Sequence, residues 1–171
     1  MPISMYSASV PVFTLMLQNA TVWLDKAQAH AEQKKFDPAV YLTLRLAPDM
    51  LPFASQIQIA SDSAKGCVAR LAGIDIPSYP DDEASLADLK ARIAKTVDFI
   101  ASVPAAQFDG SESRAIEIPR RGAEPRRFDG ETYLKHFATP NFYFHMTTAY
   151  ALLRHAGVEL GKRDYLAGGK G

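Results

Sequence analysis

A single cysteine, Cys67, is all the thiol this sequence holds, so no internal disulfide can form. No C-x-x-C pair exists, and a reducing compartment, the cytoplasm, is the expected location. Excess charge is also missing: 19 Lys and Arg balance 19 Asp and Glu. Nothing in that balance attracts nucleic acid or an anionic membrane surface, so neither is an expected partner. No run reaches the roughly 18–20 apolar residues that a membrane-spanning helix needs. The first residues, "MPISMYSASVPVFTLMLQNATVWLDK", lack a basic start and interrupt their apolar part with Gln18, Asn19 and Thr21. They make a poor signal peptide. No nucleophile elbow, phosphate-binding glycine loop, dinucleotide fingerprint or H-E-x-x-H motif is present.

What is present is helical periodicity. A chain of 171 residues suits one domain with a sizeable core, taken here as 1–171. A first helix is predicted from Ser7 or Ser9 to about Gln33, with Phe13, Leu17, Trp23 and Ala27 on one face. Pro11 fits only its first turn. Asp37 and Pro38 read as the cap and first residue of a short helix, which Pro48 breaks. A second helix is predicted from about Asp49 to Leu71, with Met50, Phe53, Ile57, Ala60, Ala64, Cys67 and Leu71 in its stripe and Gly73 at its end. Ser85 opens a third, striped by Leu86, Leu89, Ile93, Val97 and Ile100, ending near Val103. Asp88 meets free N–H groups in its first turn.

Between Ala105 and Gly130 the pattern changes. "RAIEIP" alternates with period two, and a turn at Gly122 joins two short strands or extended pieces. A fourth helix is expected to be capped by Thr139, with Pro140 at its first position, and to end at Gly157. Residues 159–171 read as a partly flexible tail, except where Tyr165 and Leu166 dock. Four amphipathic helices must bury their stripes against one another. An all-α, antiparallel four-helix bundle with a hairpin between helices three and four satisfies that need.

Polar residues near the apolar stripes are the functional candidates. At 100° per residue, Asn141, His145, Thr148 and Leu152 align beside the Phe142–Met146–Ala149 stripe. The second helix carries Asp49, Gln56 and Ser63, with Gln58 and Asp62 nearby. A pocket of His145, Asn141, Asp49 and Gln56 follows from that alignment. His145 is its catalytic candidate, as a general base or a metal ligand, with a small molecule as the partner. A satisfied hydrogen-bond network tying the two helices together is the competing reading. His30 and His155 are assigned to the surface, and Cys67 to an inert buried thiol. The acidic run Asp81 to Glu83 reads as a solvated turn. The pairs Arg120–Arg121 and Arg126–Arg127 offer an anion site across the hairpin, against the commoner solvated face.

Two stretches, "LAPDMLPFASQIQIASDSAKGCVARLAG" and "TPNFYFHMTTAYALLRHAGVELGKRDYLAG", together with the order of elements, resemble the DinB/YfiT-like superfamily of four-helix bundles. The resemblance runs from about Met5 to Gly168, to a branch known as a bacterial and fungal domain of unknown function. It implies a helical bundle, often a homodimer. In metal-binding members one His on the second helix and an H-x-x-x-H pair on the last bind a divalent ion, which some use to activate a thiol or a water. Here the pair is N-x-x-x-H, Asn141 and His145, and the second helix has no histidine. His136 lies just before the last helix. Zinc or nickel at His145 is the candidate cofactor, and a hydrogen-bonded histidine without metal is favoured, because amide oxygens are weak donors to these ions. The chain is therefore expected to be either a metal-dependent transferase or hydrolase with an incomplete histidine triad, or a non-catalytic small-ligand-binding or structural dimeric bundle.

Overall fold

A computed structural model describes residues 3–120 and 122–168 of the chain. The long helices are α1 (Val10–Lys34), α2 (Phe53–Ala72), α3 (Leu86–Ala101) and α5 (Thr139–His155). Strands β1 (Ile116–Arg120) and β2 (Ala123–Phe128) and the short α4 (Gly130–Tyr133) separate α3 from α5, and α6 (Lys162–Ala167) follows. In the packing, α1 lies on α3, α3 on α2, and α2 on α5, with α5 closing back on α1. Phe13, Leu17, Trp23, Phe53, Ile57, Leu71, Leu89, Ile93 and Phe142 fill the shared core. Each such side chain adds about 1.5–3 kcal/mol by leaving water. Among the described residues, no helix is long and apolar enough to cross a membrane.

The helix starts follow local chemistry. Pro11 sits in the first turn of α1. Asp37 accepts from the Ala39 N–H at 2.9 Å and caps a 3-10 turn over Pro38–Thr43. Ser85 Oγ accepts from the Asp88 N–H at 3.1 Å, while the Asp88 carboxylate accepts from Ala84 N–H. This exchange satisfies donors that the first turn of α3 leaves free. Gly73 ends α2 with φ +71°, a left-handed value that glycine adopts without steric cost.

Two elements depart from the sequence expectation. α2 starts at Phe53 rather than Asp49, because Pro52 is extended and Phe53 N–H donates to Leu44 O at 2.8 Å. Asp49 is left in the preceding turn. The last long helix is not capped by Thr139: it begins at Gly130, where Asp129 accepts from Thr132 N–H at 2.7 Å. It passes through a π turn, Leu134–Ala138, into α5, with Tyr133, Ala138 and Thr139 all in right-handed helical conformation. Thr139 N–H reaches back to Leu134 O. Pro140 has no N–H to donate, and its ring crowds the preceding turn. Widening that turn lets the helix run on through the proline.

In the tail, Tyr165 docks as expected, while Leu166 stays 55% exposed. Through Gly168 the tail forms α6 on the side of α1. Trp23 Nε1 donates to Asp164 O at 2.9 Å, Asn19 Nδ2 donates to Tyr165 O at 2.8 Å, and the Trp23 and Tyr165 rings stack. Residues 169–171 lie outside the described residues.

The hairpin between α3 and α4 is present, antiparallel, with Ile116 opposite Phe128 and Ile118 opposite Arg126. Period two turns Ile116 and Ile118 to the same side. Phe128 joins Tyr133 and Phe137 in an aromatic cluster, with centroids 5.5–6.0 Å apart. The arginines do not converge: Arg127 pairs with Glu117 at 2.7 Å, while Arg126 lies over the Phe137 ring. Arg121 lies outside the described residues.

Candidate functional site: a polar seam between two helices

His145 stands one turn into the apolar stripe of α5 and is 8% exposed. Its Nδ1 is 2.8 Å from Gln56 Oε1. Gln56, buried on α2, donates through Nε2 to Leu51 O at 2.8 Å. That second bond fixes which end of the amide faces the histidine. An amide oxygen only accepts, so His145 Nδ1 carries the proton and donates it. Nε2 then holds the lone pair. It has no partner among the described residues and is absent from the fully buried unpartnered atoms, so it reaches solvent. Burial lowers the His145 pKa from its ordinary value, which favours the neutral ring.

One turn earlier on α5, Asn141 Nδ2 donates to Ser63 Oγ at 2.7 Å. The pairs His145–Gln56 and Asn141–Ser63 run in opposite directions along the two helices. This makes α2 and α5 antiparallel where they meet. Three of the four residues predicted to share a pocket thus lie on this seam. Asp49 does not: it is exposed in the turn before α2 and takes no part in the hydrogen bonding. His136 is exposed in the π turn and stays outside as well. Near Asn141 the seam opens into a cleft of about 170 Å³, walled by Asp62, Ser63, Arg70, Ile118, Tyr133 and Phe137.

The donor set does not fit a zinc or nickel centre. Among the described residues no group of three or more His, Cys, Asp or Glu side chains converges. His145 has amides for neighbours and spends Nδ1 on one of them, and amide oxygens are weak donors to these ions. Cys67 is fully buried, and burial pushes its thiol far above the ordinary range. It offers no thiolate.

Sequence reasoning missed a second polar cluster. Arg92, its side chain 2% exposed, donates to Glu83 at 2.9 Å, Asp62 at 2.9 Å, Asp81 at 3.0 Å and Pro80 O at 2.9 Å. Gln58 Nε2 also donates to Glu83, at 2.7 Å. Glu83 is therefore not a solvated turn residue. Burial raises its pKa, but the bonds from Arg92 and Gln58 outweigh that and hold the carboxyl below its ordinary value. The signal was available: Arg92 falls between Leu89 and Ile93, inside the buried stripe of the third helix. His30 was missed as well. It is half-buried, with Nδ1 2.6 Å from the hydroxyl of the buried Tyr41.

The fold has known relatives. Residues 5–166 match the family model described as a domain of unknown function, DUF1993. No curated protein matches. A solved structure described as a DinB family member protein from Shewanella denitrificans is 41% identical, with a TM-score of 0.87 over 95% of this chain and 91% of that one. With the family model covering almost the whole length and the structural likeness equally extensive, the chain belongs to the DUF1993 domain family and shares the DinB-like all-α fold.

Proposed function

We propose that this chain is a DinB-like antiparallel four-helix bundle that lacks the metal centre of metal-binding relatives and acts as a non-catalytic small-ligand-binding bundle, assembled as a homodimer. The observation that carries the reading is the state of His145. Its Nδ1–H is committed to Gln56, and the position one turn earlier holds Asn141, itself bonded to Ser63. The residues where a histidine triad would supply donors are linked to each other instead, and the link ties α2 to α5. For assembly, the exposed Phe144 (55%) and Leu51 (49%) adjoin the His145–Gln56–Leu51 chain and supply apolar surface for a second copy.

Untagged protein should carry far less than one zinc or nickel per chain by elemental mass spectrometry, even after incubation with excess ions and desalting. One tightly held ion per chain in wild type, lost in His145→Ala, overturns the reading. Light scattering tests the dimer: a monomer mass at all concentrations removes it from the proposal.

One observation favours a second reading. His145 is oriented through Nδ1, largely neutral, and open at Nε2, as a general base must be. A transferase or hydrolase using Nε2 to take a proton from water or a thiol would lose turnover in His145→Ala. It would lose less in Gln56→Ala. A screen of activated esters and thiol acceptors that shows no His145-dependent turnover removes this reading.

A further inference from the structure

We propose that Arg70 is the anchor of a carboxylate site, in the groove where α2 faces the hairpin and α4, and that the site takes a small monocarboxylate with an apolar body. The proposal deepens the ligand-binding reading and rests on it for its biological role. The chemistry at Arg70 is independent of His145.

Most cations around this groove are engaged: three hold carboxylates, while Arg126 and Lys95 lie over the Phe137 and Tyr79 rings. Lys65 holds Asp62 at 2.7 Å, Arg92 holds Asp62, Asp81 and Glu83, and Arg127 holds Glu117. Arg70 forms no salt bridge among the described residues. Its single hydrogen bond runs from Nη1 to the Tyr133 hydroxyl at 3.2 Å. None of its N–H groups is among the fully buried unpartnered atoms, so the rest of the fork opens to solvent.

The guanidinium is nevertheless held in place. Tyr133 is buried and fixed in α4. Gly66 lies one turn before Arg70 on the same face, and a Cβ there would come within 2.6 Å of Arg70 Nη1. The missing side chain lets the guanidinium lie along α2 instead of swinging into solvent. A preplaced, unpaired guanidinium takes a carboxylate through parallel N–H bonds, and little ordering cost remains.

Two clefts meet at Arg70. The larger, about 350 Å³, continues over Ile76, Pro77 and Tyr79. The smaller, about 170 Å³, is walled by Ile118, Phe137 and Ala138, which suit an apolar body. Asp62 borders both clefts, and Lys65 at 2.7 Å offsets its charge. Ser63 Oγ accepts from Asn141 and has no acceptor for its own proton among the described residues, leaving a second donor in the smaller cleft.

Benzoate is the first probe, with benzamide as its uncharged counterpart and inorganic phosphate as a second anion. In amide-resolved NMR titrations of full-length protein, benzoate should give saturable shifts in α2, the hairpin and α4, and benzamide should not. Arg70→Gln should weaken binding roughly tenfold or more, the usual loss for a charge-assisted pair. Arg70→Lys, which keeps the charge without the fork, should fall between. Gly66→Ala should weaken binding by displacing the guanidinium. Arg163→Gln, exposed on α6, should leave it unchanged. Spectra of each variant without ligand report its folding. Saturable benzoate binding that Arg70→Gln does not weaken overturns the Arg70 site and leaves the ligand-binding reading standing. Arg70-dependent binding of phosphate alone overturns the carboxylate class. No saturable binding of either anion overturns the site, while the metal content of wild type and His145→Ala decides the other reading separately.

Discussion

Arg92 donates to Glu83 at 2.9 Å inside the seam between α2 and α3, with the guanidinium almost wholly removed from water. Glu83 closes the run Asp81-Asp82-Glu83, so the buried charge of one helix pins the loop that leads into it. Removing the arginine leaves the buried Glu83 with Gln58 as its remaining side-chain partner, while Asp62 keeps Lys65 and Asp81 faces solvent. Arg92→Leu should cost about 3–5 kcal/mol, the loss typical of a buried pair broken from one side. Urea unfolding of wild type and variant measures it. Glu83→Gln should cost less, because the amide still accepts from Arg92.

Acid should destabilise the protein in two stages. The folded His145 pKa lies below its ordinary 6.5, so the unfolded chain binds the proton first as pH falls. Stability therefore declines as pH drops below about 6.5, until the folded ring also protonates. Glu83 and Asp164 are held below their ordinary values. For Asp164, burial raises the pKa, and the bonds from Lys26 and Gly161 N–H outweigh it. Their contribution is complete above the ordinary carboxylate range and is lost as pH falls through the folded values. His145→Gln should abolish the first stage of the decline and keep the second. Melting temperatures measured from pH 7 to pH 3 check both.

The His145–Gln56 pair should behave as a coupled unit. Either His145→Ala or Gln56→Ala alone leaves a polar group short of its partner at a buried seam, at about 1–3 kcal/mol each. The double variant should cost less than the sum. Additive losses in a double-mutant cycle would show that the bond contributes nothing to holding α2 against α5.

The chain has one tryptophan, and its indole N–H is bonded to α6. Ending the chain after Leu160 would remove that acceptor, the Tyr165 ring and the partner of Lys26 together. Trp23 emission should shift to the red, and the melting temperature should fall by several degrees, as a loss of about 1–2 kcal/mol implies for a domain of this size. Unchanged emission would mean that Trp23 is buried without α6.

Much of this was legible in the residues. The stripes of α1, α2 and α3, the caps at Asp37 and Ser85, and the stop at Gly73 are local: each depends on neighbours a few residues away. The hairpin at Gly122 was equally local, as alternation and a turn residue sufficed. The seam was legible in part, because helical spacing alone places Asn141 and His145 on one face. Its pairing with Gln56 and Ser63 needed the distance and direction between two helices, which no spacing along one chain contains.

Tertiary packing decided the rest. Pro140 reads as a helix start, and the chain instead widens a turn and continues, because α4 is anchored by Tyr133 and the hairpin aromatics. The glycine-rich tail reads as loose apart from Tyr165 and Leu166, and Trp23 gives Tyr165 and the rest of α6 a place to dock. Asp81 to Glu83 reads as solvated, and Arg92 draws part of it inward. In each case a weak local preference met a partner distant in sequence. Local chemistry determined which segments are helical and where their apolar faces lie. Only the packed structure decided which polar groups lost their water and therefore had to find one another.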